Sequence, residues 1–186
     1  MSLTAFVSTI VRLLDEASIP YMLTGSLASA FYSNPRATQD LDLVIEPSRE
    51  QVDRFVAAAA GAGLYVSKEA AEQALESRGQ FNVIDPESGW KADLIVRKDR
   101  SFSRVEFSRR AVATLFGVEI ALTSIEDLII AKLEWSELGD SELQRRDLAQ
   151  LLESAGADLD LGYIDKWVRE LDLERAWKRV AGEGNA

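Results

Sequence analysis

Apolar residues recur along this chain with two different spacings, which separate helices from strands. Residues 2–17 carry apolar side chains at helical spacing, and this repeat stops before Pro20. Short apolar runs bounded by glycine, proline or polar residues follow at 21–24, 39–46, 81–84 and 92–96, and such runs are typical of strands. Helical patterns at 27–32 and 48–60 lie between them. The pattern predicts strands and helices within one chain, which is the α+β class.

The pattern changes near Leu122, because strands and turns precede this residue and helices follow it. Thr123-x-x-Glu126 is a capping box that begins a helix through Leu138. Further helical patterns begin near Ser141, Leu161 and Leu173. We therefore expect an α/β core in residues 1–122 and a helical C-terminal subdomain, a small bundle, in residues 123–186.

Two aspartates lie on one predicted strand. Asp40 and Asp42 are two residues apart, so their side chains project from the same face, roughly 6–7 Å apart along the strand. Two carboxylates this close repel each other by about 2–3 kcal/mol at an effective dielectric constant near 20. A divalent cation with oxygen ligands, such as magnesium bound to substrate phosphates, is the usual way to offset that repulsion.

Two other segments could complete such a site. Gly25-Ser26 ends an apolar run where a helix can begin, and a helix N-terminus offers free N–H groups to a phosphate. Residues 81–84 and 92–96 are joined by Asp-Pro-Glu-Ser-Gly, which predicts a hairpin. In that hairpin Asp93 could share a face with Asp40 and Asp42.

The amino-acid composition excludes several kinds of catalytic and metal-binding site. The 186 residues include no cysteine and no histidine, which excludes disulfides, thiolate nucleophiles, cysteine or histidine zinc sites and serine–histidine triads. The formal net charge of −10 disfavours binding to extended duplex nucleic acid. There is no apolar run long enough for a membrane span and no signal segment, so we expect a cytoplasmic protein.

Two basic features each allow two interpretations. The apolar stripe of the helix after Thr123 continues onto Lys132, which could either bind a phosphate in a cleft or extend past the stripe to solvent. Residues 97–110 hold six lysines and arginines, which could either contact phosphates or form a solvated loop and strand edge. Arg145 and Asp147 flank the packed face of the following helix and add a weaker charged constellation.

Gly25-Ser26, Asp40-x-Asp42 and a later strand-borne Asp93 together resemble the signature of the polymerase-β-like nucleotidyltransferase superfamily. Residues 124–135 and 145–149 are similar to a group of uncharacterised bacterial nucleotidyltransferase-like proteins. More distantly, they are similar to the abortive-infection type nucleotidyltransferase toxins. The resemblance spans roughly residues 20–152.

The resemblance implies a small mixed-sheet nucleotidyltransferase core and a role for each motif. Asp40, Asp42 and Asp93 would be catalytic and would ligate Mg²⁺ or Mn²⁺. The nucleoside triphosphate would be bound by residues before and after them: Gly25, Ser26, Arg36, Thr38 and Lys132. Asp147, and more weakly Arg145, would assist at the cleft.

The implied reaction is transfer of a nucleoside monophosphate to a hydroxyl or amine on an unknown small molecule, protein or RNA end. A toxin–antitoxin component and a nucleotide-binding protein without turnover are the alternatives. The partners considered besides the nucleoside triphosphate and the acceptor are a second copy of the chain, as a homodimer, or a partner protein, and no membrane is expected as a partner.

Overall fold

The computed structural model describes residues 1–33, 40–139 and 142–183. The helices are α1 Leu3–Glu16, α2 Gly25–Tyr32, α3 Arg49–Gly61, α4 Lys68–Ser77, α5 Ser101–Ser108, α6 Ile125–Gly139, α7 Glu142–Ala155, α8 Leu161–Glu170 and α9 Glu174–Glu183. The strands are β1 Tyr21–Leu23, β2 Asp40–Ile45, β3 Tyr65–Val66, β4 Gln80–Ile84, β5 Lys91–Val96, β6 Ala111–Leu115 and β7 Val118–Leu122.

Within the described ranges the strands form one seven-stranded mixed sheet in the order β3-β4-β5-β2-β1-β7-β6. The pairs β2–β5 and β1–β7 are parallel, and the other neighbours are antiparallel. The predicted α+β class is confirmed, and β4 and β5 form the hairpin that the turn composition predicts. β2 and β5 lie in the interior of the sheet, although some forty residues separate them in sequence.

Buried and partly exposed side chains alternate strictly along β2 and β5, so the two faces of the sheet differ. Leu41, Leu43 and Ile45 of β2 are completely buried, and they join a core that includes Phe6 of α1 and Phe55 of α3. The intervening side chains point to the opposite face because successive strand residues alternate. Helices α5 and α6 lie over that opposite face, and the space between them and the sheet forms the cavities described below.

Residues 101–108 form a helix, although the charge pattern of residues 97–110 indicated either a phosphate-binding patch or a solvated loop and strand edge. Phe102 and Phe107 are buried and hold α5 against the rest of the protein, while the arginines between and around them remain at the surface. The interpretation as a loop is therefore wrong, because two buried aromatic side chains outweigh the polar composition.

No helix within the described part of the chain is both long and apolar enough to cross a membrane.

Candidate active site

Three predicted site carboxylates lie on one face of two neighbouring strands. In the parallel pairing of β2 and β5, Asp42 is opposite Asp93 and Asp40 is opposite Lys91. Because both strands alternate in phase, Asp40, Asp42 and Asp93 all project away from the core that the intervening residues form. The pairing register thus brings together two acidic segments that are far apart in sequence.

Lys91 lies between two of these carboxylates. Its Nζ is 3.3 Å from Oδ1 of Asp40 and 3.1 Å from Oδ2 of Asp93, and these contacts, first of all the hydrogen bond to Asp93, raise the pKa of Lys91. Asn82 of β4 donates a hydrogen bond to the other oxygen of Asp93. Among the described residues, no three acidic side chains are close enough together to ligate one ion.

Sequence reasoning missed Lys91 and Asn82. Lys91 is two residues before Asp93 and therefore on the same face, which is a signal that was available. Asn82 is opposite Asp93 in the hairpin, a register that the turn alone does not define. These two side chains determine where the oxygens of Asp93 point, so they belong to the site.

Asp42 has an unfavourable environment for a negative charge. Burial raises its pKa, the neighbouring Asp93 raises it further, and a hydrogen bond from the backbone N–H of Ser26 opposes both effects. A carboxylate in such surroundings gains stability from any cation that reaches it. A cation bound beside Asp42 would therefore stabilise its negative charge.

Helix α2 begins at Gly25, two residues before the predicted start, and its N-terminus faces Asp42. Gly25 has a positive φ of 67°, which L side chains rarely adopt. The backbone N–H of Thr24 donates to the carbonyl of Asp42 at 3.0 Å, so the turn before α2 is attached directly to β2. The predicted phosphate donor at Ser26 is used here by the Asp42 carboxylate.

A cavity of about 240 Å³ lies between this helix start and α6. One wall holds the predicted phosphate and metal residues Gly25, Ser26, Asp40 and Asp42. The other wall is the α6 face formed by Leu128, Ala131, Lys132 and Trp135. We call this space the first pocket; it places a lysine across from the paired aspartates.

Lys132 lies inside the protein rather than at its surface. The residue is 4% exposed, and its Nζ is 2.9 Å from Oδ2 of Asp147, which is itself 3% exposed. The alternative in which Lys132 extends to solvent is therefore wrong. The ion pair also explains why Asp147 of α7 lies close to the first pocket without lining it.

The remaining predicted residues are placed differently. Arg145 lines a small groove with Ser136 and Arg179, away from the first pocket. Arg36 and Thr38 lie outside the described residues.

Most of the guanidinium groups in residues 97–110 have partners within the protein, which argues against a phosphate-binding patch. Four of them form ion pairs with carboxylates: Arg97 with Glu46, Arg100 with Glu134, Arg104 with Asp99, and Arg109 with Asp127. Arg110 donates to the carbonyl of Phe107 and stacks on its ring.

A second cavity, of about 220 Å³, adjoins the first and is lined by β5, α5 and α6. We call it the second pocket. Glu106 of α5 lines it, and burial raises the pKa of this carboxyl to about 8. Sequence reasoning missed Glu106, because it counted this acid only as a dilution of the basic residues around it.

Comparisons with other proteins bear on the fold. No protein-family model matches the sequence, and no curated protein sequence matches it. The antibiotic-resistance factor ANT(2'')-Ia in solution superposes with a TM-score of 0.62 at 15% identity, over 97% of this chain and 96% of that one.

A crystal structure of ANT(2'')-Ia in complex with adenylyl-2''-tobramycin gives a TM-score of 0.59 at 14% identity, covering 98% of this chain and 99% of the other. An antigenic nucleotidyltransferase-like protein from Paracoccidioides brasiliensis gives a TM-score of 0.55 at 18% identity, covering 95% and 92%. The chain therefore has the polymerase-β-like nucleotidyltransferase fold that the motifs at Gly25-Ser26, Asp40-x-Asp42 and Asp93 predicted.

Proposed function

We propose that this protein is a metal-dependent nucleotidyltransferase that moves a nucleoside monophosphate from a nucleoside triphosphate to a hydroxyl or amine acceptor. One observation carries the proposal: Asp42 and Asp93 are opposite each other on adjacent strands, and Asp42 touches the N-terminus of α2. A carboxylate pair beside a helix start suits a metal that bridges to phosphate.

The chemistry of the donor set fits a hard divalent cation, although the carboxylates would have to move closer together, because no three acidic side chains of the described residues are near enough to ligate one ion as they stand. Asp40, Asp42 and Asp93 offer carboxylate oxygens, the ligands that Mg²⁺ and Mn²⁺ prefer. The raised pKa of Asp42, caused by burial and by Asp93, means that a cation here would relieve an existing electrostatic cost. When bound, the metal would polarise the α-phosphate and neutralise the charge that develops on the phosphate oxygens.

The residues of the first pocket would bind and orient the triphosphate. Lys132 would contact phosphate oxygens from the α6 side, and its ion pair with Asp147 would hold the ammonium group in place. Gly25 lets the start of α2 approach the Asp42 carboxylate, and the N–H groups of the first turn that Asp42 does not use would add donors for the phosphates. Most of the acceleration would come from this positioning and from charge neutralisation.

The transfer step makes one bond and breaks one. The acceptor oxygen or nitrogen attacks the α-phosphorus, the bond from that phosphorus to the bridging oxygen breaks, and pyrophosphate leaves. A carboxylate oxygen of Asp93 would accept the proton that the acceptor loses. Lys91, 3.1 Å from Asp93, would help to orient that carboxylate.

The proposal is tested by incubating the protein with each α-labelled nucleoside triphosphate, Mg²⁺, and either a cell extract or tobramycin. Tobramycin is included because ANT(2'')-Ia was crystallised with its adenylylated form. We expect label to appear on an acceptor together with released pyrophosphate, and Asp42→Asn to abolish both.

Glu153→Gln, a change at an exposed position, serves as the control that removes one negative charge elsewhere. Label transfer that is equal for wild type and Asp42→Asn would contradict the catalytic assignment. Nucleotide binding without pyrophosphate release under all of these conditions would instead favour a nucleotide-binding protein without turnover.

A further inference from the structure

The second pocket adjoins the first. Thr24, Ile95, Ala131 and Trp135 line both cavities, so molecules bound in the two pockets would be neighbours. If the first pocket holds the nucleotide, as proposed above, the second is where the acceptor would lie. Its residues then indicate the chemistry of that acceptor.

Glu106 has an unusual environment in this pocket. Glu106 is 7% exposed and lines the cavity, and among the side chains that the structure describes none makes a hydrogen bond or ion pair with its carboxylate. Glu134, which lines the same pocket, differs because Arg100 holds both of its oxygens at 2.5 Å. A buried carboxylate without a partner is costly, so a bound cation would stabilise Glu106.

The positive groups around this pocket do not supply that cation. Arg97 is paired with Glu46 and Arg100 with Glu134, while Lys98 is exposed to solvent at the pocket's mouth. Glu106 is therefore buried in the pocket, while Lys98 at its edge is exposed to solvent. A ligand that enters with its positive end first would meet Glu106 at the inner end.

From this geometry we propose that the acceptor is a small molecule that carries a primary ammonium group, and that Glu106 binds this group in the second pocket. The acceptor's hydroxyl or second amine would then face the first pocket past Trp135. Only the ligand's role as acceptor rests on the proposed function, because the cation site itself is defined by Glu106 and the cavity.

The protonation state of Glu106 makes the binding dependent on pH. Burial, with Asp127 and Glu134 of α6, raises its pKa to about 8, while Arg100 and Lys98 act in the opposite direction. With that pKa, about 3% of the carboxyl is ionised at pH 6.5 and about 90% at pH 9. Because a cation binds the ionised form, affinity should rise by up to about 30-fold over this range.

The test compares aminopentanol with pentanediol, which has nearly the same shape but no charge. A primary ammonium has a pKa of about 10.4, so aminopentanol stays largely charged at pH 9. We expect ligand-detected NMR titrations to show tighter binding of aminopentanol, a rise in its affinity between pH 6.5 and pH 9, and weak, pH-independent binding of the diol.

Glu106→Gln should reduce the affinity for aminopentanol at pH 9 by about 10-fold or more and remove its pH dependence. The variant should fold, because glutamine resembles the protonated carboxyl in size and charge. Glu119→Gln removes the same charge from an exposed position on β7 and should bind like wild type. Equal binding of amine and diol, or an affinity in wild type that does not change with pH, would overturn the proposal.

These titrations contain no nucleotide, so their failure is separate from failure of nucleotidyl transfer. Amine binding that depends on Glu106 in a protein that binds no nucleoside triphosphate would refute the proposed function and with it the acceptor role. Transfer activity with neutral acceptors alone would support the proposed function and refute the ammonium specificity.

Discussion

Gly25 and Asp42 are in such close contact that position 25 has no room for a side chain. A Cβ atom at Gly25 would lie 2.0 Å from Oδ2 of Asp42 and 2.6 Å from its Cγ. The glycine of the predicted motif therefore has a structural role besides the proposed access for a phosphate. It lets the start of α2 pack directly on a carboxylate of the site.

Gly25→Ala should destabilise the fold and disturb the site. The positive φ alone costs about 1–2 kcal/mol for an L residue, and the overlap with Asp42 adds to this cost. Denaturant unfolding measures the loss, and Mg²⁺-dependent nucleotide binding should fall with it. Gly63→Ala is the control, because Gly63 has a φ of 80° but a Cβ added there would meet no atom within 4 Å. Equal destabilisation by both substitutions would show that the contact with Asp42 has no energetic consequence.

Asp42→Asn should stabilise the metal-free protein at neutral pH. Because burial and Asp93 raise the pKa of Asp42, the folded state binds the proton more tightly than the unfolded state does. Stability is therefore lost as pH rises from the unfolded pKa, about 3.9, through the folded pKa.

The gain in the free energy of unfolding from Asp42→Asn should be full above the folded pKa and should disappear at acidic pH. Urea unfolding in EDTA at a series of pH values measures it, and the same variant should lose about 100-fold or more in transfer rate. A variant that is less stable than wild type at pH 7 would mean that Asp42 has favourable partners that outweigh its burial.

Variants of the Lys132–Asp147 ion pair can distinguish an effect on protein stability from an effect on nucleotide binding. Asp147→Leu leaves a buried ammonium without this carboxylate and should cost about 3–5 kcal/mol. The double variant Lys132→Met/Asp147→Leu should recover most of that loss, because two apolar side chains of similar volume replace the ion pair.

The double variant should nevertheless fail to bind a nucleoside triphosphate tightly, since the ammonium group proposed to contact the phosphates is gone. Unfolding curves and calorimetric titration with nucleotide and Mg²⁺ give the two readouts. If the double variant is stable and binds nucleotide like wild type, Lys132 is a structural residue only.

The fluorescence of Trp135 should change when a ligand binds in either pocket. It is 59% exposed and lines both pockets, whereas Trp167 is buried and Trp90 and Trp177 are half-buried. Binding of nucleotide should remove water from the indole and shift its fluorescence to shorter wavelength. Trp135→Phe should abolish this change and Trp90→Phe should leave it intact. A ligand-induced shift that persists in Trp135→Phe would place the binding site elsewhere.

The strand face of the site could be predicted because it depends only on local periodicity. Alternation fixes Asp40 and Asp42 on one side of β2, and the same rule applies to Asp93 on β5. The pairing of Asp42 with Asp93 depends on how α3, β3, α4 and β4 connect the two strands, and no local pattern encodes that register. Asn82 follows from the register and was out of reach as a partner of Asp93, whereas Lys91 lies two residues before Asp93 and could have been placed on the same face from the sequence.

Glu106 could not be predicted for a different reason. Its segment was interpreted by charge, and charge alone does not distinguish a surface loop from a helix held by Phe102 and Phe107. The burial of Glu106 comes from the packing of α5 against α6, which brings Asp127 and Glu134 near it from positions further along the chain. Contacts of this kind are tertiary, and a sequence pattern in one segment does not contain them.

Helix α6 contributes to both pockets, with Leu128 and Lys132 facing the first and Glu134 facing the second. A shift of α6 when one proposed substrate binds would therefore reach the site of the other. Each substrate would then change the affinity for its companion by the same factor, since thermodynamic linkage is reciprocal. Because the proposed transfer runs directly between neighbouring pockets, steady-state kinetics should show a sequential mechanism through a ternary complex, in which neither product leaves before both substrates have bound.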